Sequence, residues 1–293
     1  MSAPFAFRRH DDDPTRGRRQ RKGMYLLPSL FTIGNMAFGF YAISQMIQGS
    51  TVEPWHFDFA AKAIGFAVLF DGLDGRIARM THTESEFGRE LDSLADVITF
   101  GLAPALLAWL WGFKLLPQMT EGDLRTNLMH LGIIASFVFL VAGASRLARF
   151  NIQSNPQPSN PGRPGKKYFV GMPIPAGAGV IAAVVHFSSG DPVAQWWVAL
   201  IWLLLVAACA YLMVSTWRFY NFKDLDLRHR HPFRLIILIG ALFAAIWFFS
   251  RPVLFIIALV YMLSGVFWRL LFILRRRHSP PPPPAYKEAP ELQ

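Results

Sequence analysis

Long apolar blocks recur through most of this chain, near residues 25–48, 57–80, 90–113, 128–151, 171–189, 195–216, 233–250 and 252–274. Each approaches the roughly 20 residues that a helix needs to cross a hydrocarbon core. A segment inside a bilayer must satisfy its own backbone polar groups, so blocks of this length dictate α-helices. The composition agrees: 53% of the 293 residues are hydrophobic and the mean hydropathy is +0.31. The expected fold class is an all-α polytopic integral membrane protein with about eight transmembrane helices. The fifth block is short and contains Pro173 and Pro175. Its start is expected to be bent or partly unwound, because proline removes a helical donor and crowds the preceding turn.

The distribution of charge orients these helices. With the N-terminus inside, the inner segments hold 25 of the 29 Lys and Arg residues. The outer loops hold only Lys114, Arg125 and Arg251, and Lys62 lies within the second block. Cytoplasmic loops are the ones enriched in Lys and Arg, so both termini are expected on the cytoplasmic side. The net charge of +10 could suggest nucleic acid, but the basic residues flank apolar blocks and no nucleic-acid motif accompanies them. Anionic membrane lipids are the better match, with Lys166, Lys167 and the stretch from Arg228 to His231 facing headgroups. Residues 1–23 read as a disordered basic cytoplasmic tail, 24–274 as the membrane-embedded domain and 275–293 as a proline-rich cytoplasmic tail. No cleavable signal peptide is expected. The single cysteine, Cys209, excludes an internal disulfide. The inner loops 152–170 and 217–232 are expected to be irregular.

Against this background one run stands out. Asp71-Gly72-Leu73-Asp74-Gly75-Arg76-Ile77-Ala78-Arg79 is followed by Gly88, Asp92 and Asp96. Ionisable groups at membrane depth are costly, and a cluster of them marks a functional site. Asp71, Asp74, Gly75, Ala78 and Arg79 share one helical face by their spacing, and Gly88, Asp92 and Asp96 share one face of a second helix. The short polar link from Met80 to Phe87 predicts an antiparallel helical hairpin, with Thr83 and Glu86 as a capping box and His82 solvated in the turn. Four converging carboxylates need positive compensation in a low dielectric. Oxygen-only ligands favour a hard ion such as Mg²⁺ or Mn²⁺, and two such ions suit phosphoryl chemistry.

The pattern Asp71-x-x-Asp74-Gly75-x-x-Ala78-Arg79, eight residues, Gly88-x-x-x-Asp92-x-x-x-Asp96 resembles the complete signature of the CDP-alcohol phosphotransferases. Further stretches resemble the membrane-type (type II) phosphatidylserine synthases. They are Leu27 to Asn35, Arg146-Leu147-Ala148-Arg149-Phe150-Asn151, Phe169 to Ala176, and Phe222 to Leu227. Ser29 departs from the Asn expected there and is given no role. The resemblance implies a reaction in which CDP-diacylglycerol and L-serine give phosphatidylserine and CMP. It also implies metal ligation by Asp71, Asp74 and Asp92, with Asp96 as the general base and a further metal contact. Gly75, Ala78, Arg79 and Gly88 are implied as CDP contacts, with Thr32 and Asn35 joining them from the first block. The same resemblance implies a homodimer. The expected location is a bacterial inner membrane, and the charge asymmetry puts the acidic motif at its cytoplasmic face.

Arg146, Arg149 and Asn151 close the fourth block at the inner face. A cationic pocket is needed for either the carboxylate of serine or the lipid-side phosphate, and these residues are the candidates. The acidic motif does not separate serine from glycerol phosphate, inositol phosphate or choline as acceptor. A cation transporter would also explain intramembrane carboxylates, though not the adjoining Arg79 and spaced glycines. A noncatalytic scaffold would leave the intact acidic set without a purpose.

Overall fold

The computed structural model describes residues 26–81, 86–117, 122–154, 168–220 and 232–276. The expected tails, the turn holding His82 and Thr83, Lys166, Lys167 and Arg228 to His231 lie outside the described residues. Helix α1 spans Leu26–Gln48, α2 Trp55–Thr81 and α3 Glu86–Asp96. A π-helical turn, Val97–Leu102, leads into α4, Ala103–Trp109, and a second π-helical turn, Leu110–Lys114, follows it. Then come α5 (Gly122–Ser154), β1 (Tyr168–Val170), α6 (Ile174–Phe187), α7 (Trp196–Val214), β2 (Arg218–Tyr220) and α8 (Pro232–Arg276).

The helical reading of the apolar blocks therefore holds. Among the described residues, five helical stretches are long and apolar enough to cross a membrane: Leu30–Gln48, Phe87–Lys114, Asp123–Ile152, Trp196–Val214 and Ile239–Phe267. Three features separate this number from the expected eight. Helix α2 carries Asp58, Lys62 and Asp71 as well as the Asp74 to Arg79 charges, which lower its hydropathy. Helix α6 has 14 residues, about 21 Å at 1.5 Å per residue, and is too short to span alone. The last two blocks are the two halves of α8, which meet at a break at Phe249 (φ −132°, ψ 45°) and fall within a single apolar stretch. The break has a local cause. Pro252 gives no N–H to the turn before it, and its ring crowds the carbonyl four residues back.

The start of the fifth block is non-helical, as its prolines predict. Pro173 has φ −57° and ψ 143°, and α6 begins at the next residue. The preceding Gly171 has φ +78°, and a Cβ there would lie 2.5 Å from the Met213 carbonyl oxygen. Only glycine accommodates both the backbone angle and that approach. The amides of Gly171 and Met172 donate to the carbonyls of Trp217 (2.8 Å) and Leu212 (3.0 Å), tying the start of α6 to the end of α7. The ends of the two loops expected to be irregular instead pair as an antiparallel ribbon, with Tyr168 opposite Tyr220 and Val170 opposite Arg218. Backbone groups near the protein interior need partners, and pairing supplies them.

Small residues let the helices approach closely. Ala42 of α1 and Ala60, Ala61, Ala63, Ile64 and Ala67 of α2 are buried. Phe38 of α1 packs on Phe66 and Phe70 of α2, with ring centres 6.3 and 5.1 Å apart. Outward-facing positions are apolar, including Phe40, Leu204, Trp247 and Phe248, as lipid contact requires.

A buried polar network joins three elements away from the acidic motif. Asp58, in the first turn of α2, lies 2.5 Å from His186 Nδ1 at the end of α6. Nε2 of His186 lies 3.0 Å from Ser250 Oγ at the bend of α8. Lys62 Nζ stands 2.8 Å from the other carboxylate oxygen of Asp58. Replacing His186 by Ala leaves a buried carboxylate short of one partner, so His186→Ala should cost about 2 kcal/mol of stability. The check is the unfolding midpoint in detergent, which should fall relative to wild type.

Candidate active site

The two helices that carry the acidic motif are present. Helix α2 carries the first half of the motif to Thr81, and α3 begins the second half at Glu86. Carboxylate oxygens of Asp71, Asp92 and Asp96 all lie within 4.8 Å of one another. Asp96 is buried and the other two are half-buried. The convergence follows from spacing, since Asp92 and Asp96 stand one turn apart on α3 and face Asp71 on α2. Asp74, Gly75, Ala78 and Arg79 belong to α2, and their side chains lie outside the described part of the structure. Gly88 is half-buried one turn before Asp92.

Helix α1 supplies the next layer. Thr32 and Asn35, three residues apart, are both buried. Asn35 Nδ2 lies 3.5 Å from Asp96 Oδ1. Of the two positions expected to contact nucleotide, Asn35 thus borders the carboxylate cluster.

Helix α5 brings a cation to the cluster. Arg146 is buried, interacts electrostatically with Asp96 and Asp71, and lies 5.6 Å from the ring centre of Phe150. Three carboxylates in a low dielectric raise one another's cost of ionisation, and a buried guanidinium offsets part of it. The other two candidates on α5 have different surroundings. Arg149 donates to the carbonyl of Val214 (3.4 Å), the last residue of α7, and so serves an open helix end. Asn151 donates to Ser93 Oγ (2.8 Å), beside Asp92, and ties the end of α5 to α3.

Two contributors were not singled out in the sequence. Tyr261 of α8 interacts electrostatically with Arg146, and Thr99, fully buried, donates to the main-chain carbonyl of Asn35 (3.1 Å). Tyr261 sits inside an apolar block with no spacing to mark it. Thr99 stands three residues after Asp96, a helical spacing that would have pointed to it.

The donor set fits a hard divalent cation. It is all carboxylate oxygen, it comes from two helices, and it is partly withdrawn from water. A cation held there would neutralise phosphate charge and stabilise a departing phosphate.

Comparison with known proteins identifies the class. The CDP-alcohol phosphatidyltransferase family model matches residues 25–201, and the chain belongs to that family. Among its relatives, the CDP-diacylglycerol–serine O-phosphatidyltransferase of Helicobacter pylori is 35% identical over 206 residues, covering 68% of this chain and 74% of the relative. The protein of the same name from Bacillus subtilis is 32% identical over 203 residues, covering 68% of this chain and 93% of the relative. The Saccharomyces cerevisiae protein of that name is 35% identical over 156 residues, covering 53% and 51% of the two chains.

Asp92→Asn should weaken Mn²⁺ binding to the purified protein by at least about tenfold, because a neutral amide replaces a charged oxygen ligand. Paramagnetic titration of free Mn²⁺ reads this without any substrate.

Proposed function

We propose that this protein transfers the phosphatidyl group of CDP-diacylglycerol to the hydroxyl of L-serine, giving phosphatidylserine and CMP. The observation that carries the reading is the meeting of Asp71, Asp92 and Asp96 beside the buried Arg146, in a member of this family. The names of the relatives support serine as the acceptor.

In this reading Asp71, Asp74, Asp92 and Asp96 hold Mg²⁺ or Mn²⁺, as a pair of ions. The bound metal supplies charge neutralisation at the diphosphate. Asp96 accepts the proton of the serine hydroxyl as the new O–P bond forms. The bond from the same phosphorus to the CMP oxygen breaks, and CMP leaves. Thr32, Asn35, Gly75, Ala78, Arg79 and Gly88 bind the CDP moiety. The glycines admit close backbone approach, and the Arg79 guanidinium forks onto phosphate oxygens. Arg146 takes the serine carboxylate or the lipid-side phosphate, and Arg149 and Asn151 hold the end of α5 around it. The buried position of Arg146 and its charge interaction with Asp71 and Asp96 support this division.

The remaining features of the reading concern topology and assembly. Helix α2, helix α6 together with the extended residues that precede it, and the two halves of α8 bring the crossings to eight. Both termini and the active site face the cytoplasm, supported by the 25 of 29 basic residues on one set of segments. The membrane-embedded domain is 24–274, between the tails 1–23 and 275–293, in a bacterial inner membrane and as a homodimer.

The decisive experiment supplies purified protein with CDP-diacylglycerol and, separately, serine, glycerol phosphate, inositol phosphate and choline, with and without Mg²⁺ or Mn²⁺. Serine and metal together should release CMP and form phosphatidylserine. CMP release with another alcohol and none with serine would overturn the acceptor. In the same assay Arg146→Lys should raise the apparent KM for serine about tenfold, because a point charge replaces a forked donor.

A further inference from the structure

Asp96 is the last residue of α3, and the helix changes character immediately after it. The N–H of Ala103 donates to the carbonyl of Ile98, five residues back, so the chain winds as a wide π-helical turn. Such turns are rare, and they concentrate at functional sites. Thr99 lies in this turn with no solvent exposure. Its hydroxyl donates to the main-chain carbonyl of Asn35 at 3.1 Å. In α1 that carbonyl faces the turn closed by Gly39, one helical turn on.

Gly39 makes the contact possible. A Cβ at that position would lie 2.5 Å from Thr99 Oγ1 and 3.0 Å from Thr99 Cα. The side chain of Asn35 then completes the link, with Nδ2 at 3.5 Å from Asp96 Oδ1. The Oδ1 atom of Asn35 is buried with no hydrogen-bond partner among the described residues. The Asn35 amide is therefore oriented through two links, the backbone grip of Thr99 and the carboxylate of Asp96. A carboxylate that receives an amide donor on one oxygen has its rotamer fixed and presents the other oxygen.

We propose that Thr99, seated against Gly39 in the π-helical turn, is a positioning residue that aligns Asp96 through Asn35. The inference rests on the proposed role of Asp96 as proton acceptor, and it adds residues that never touch substrate. It gives the π-helical turn a purpose: the wide turn delivers Thr99 to α1 directly behind the carboxylate it aligns. It also gives Asn35 a task besides nucleotide contact.

The test compares Thr99→Val, which keeps the shape and loses the hydroxyl, with Thr99→Ser, which keeps the hydroxyl, and with Gly39→Ala, which pushes on the same contact from α1. Thr99→Val and Gly39→Ala should each lower kcat about tenfold, a part of the roughly 10²- to 10⁴-fold that general-base work contributes, with KM for both substrates within about twofold. Thr99→Ser should restore kcat to within about threefold of wild type. Mn²⁺ affinity of the purified variants should stay within about threefold of wild type, short of the tenfold loss expected of Asp92→Asn, which a collapse of the carboxylate cluster would not allow. Wild-type kcat in Thr99→Val, equal losses in Thr99→Val and Thr99→Ser, or a loss confined to KM would each overturn the proposal. If Thr99→Val fails to fold, Gly39→Ala decides alone, with wild-type kcat overturning it. If wild type uses an alcohol other than serine, the same comparison is made with that alcohol. The serine reading then falls and the alignment of Asp96 is still decided.

Discussion

Three carboxylates within 4.8 Å of one another, one of them buried, are the constraint that the rest of the structure answers. Like charges at that separation in a low dielectric oppose one another strongly. Every neighbouring feature reduces that cost or exploits it. Arg146 brings a buried positive charge from α5, Asn35 offers an amide donor from α1, and the all-oxygen donor set suits a divalent cation. The same repulsion that would destabilise an apolar bundle suits the site to a compensating cation.

The scaffold is arranged to keep those groups in register. The hydroxyl of Thr99 and the missing side chain of Gly39 lock α1 to the turn after Asp96. Asn151 locks α5 to α3 through Ser93. Arg149 closes the end of α7 and Gly171 lets α6 start beneath it. Side chains near a reactive centre thus divide into those placed to meet a ligand and those that hold the placing helices. Arg146 and Arg149 sit three residues apart on one helix and have different partners, the first interacting with Asp96 and Asp71 and the second with the carbonyl of Val214.

Much of this was legible in the sequence, and for identifiable reasons. Membrane-length apolar blocks impose helices because lipid offers the backbone no partners, and the helices follow the blocks, with α8 breaking at Phe249 where the last two blocks meet. Fixed helical spacing made the meeting of Asp71 with Asp92 and Asp96 foreseeable. Other features were hidden because they depend on partners distant in the chain. The ribbon between Tyr168–Val170 and Arg218–Tyr220 joins two loops that carry no strand pattern. Tyr261 reads as one more apolar residue until α8 packs beside Arg146. The π-helical turn after Asp96 has no periodicity of its own in the sequence.

The polar network at Asp58 bears on Asp71 through the geometry of one helix. The two aspartates are thirteen residues apart on α2, which is about 20 Å of rise and about 220° of net rotation. Helix α2 is therefore a shaft keyed at one end: His186 grips it through Asp58 on one side, and Asp71 projects from nearly the opposite side at the other end. The key sets the azimuth of the carboxylate as well as its depth. One residue inserted between them would turn Asp71 by about 100° and carry it out of reach of Asp92 and Asp96. The distance between key and carboxylate is thus as much a part of the active site as the aspartates themselves.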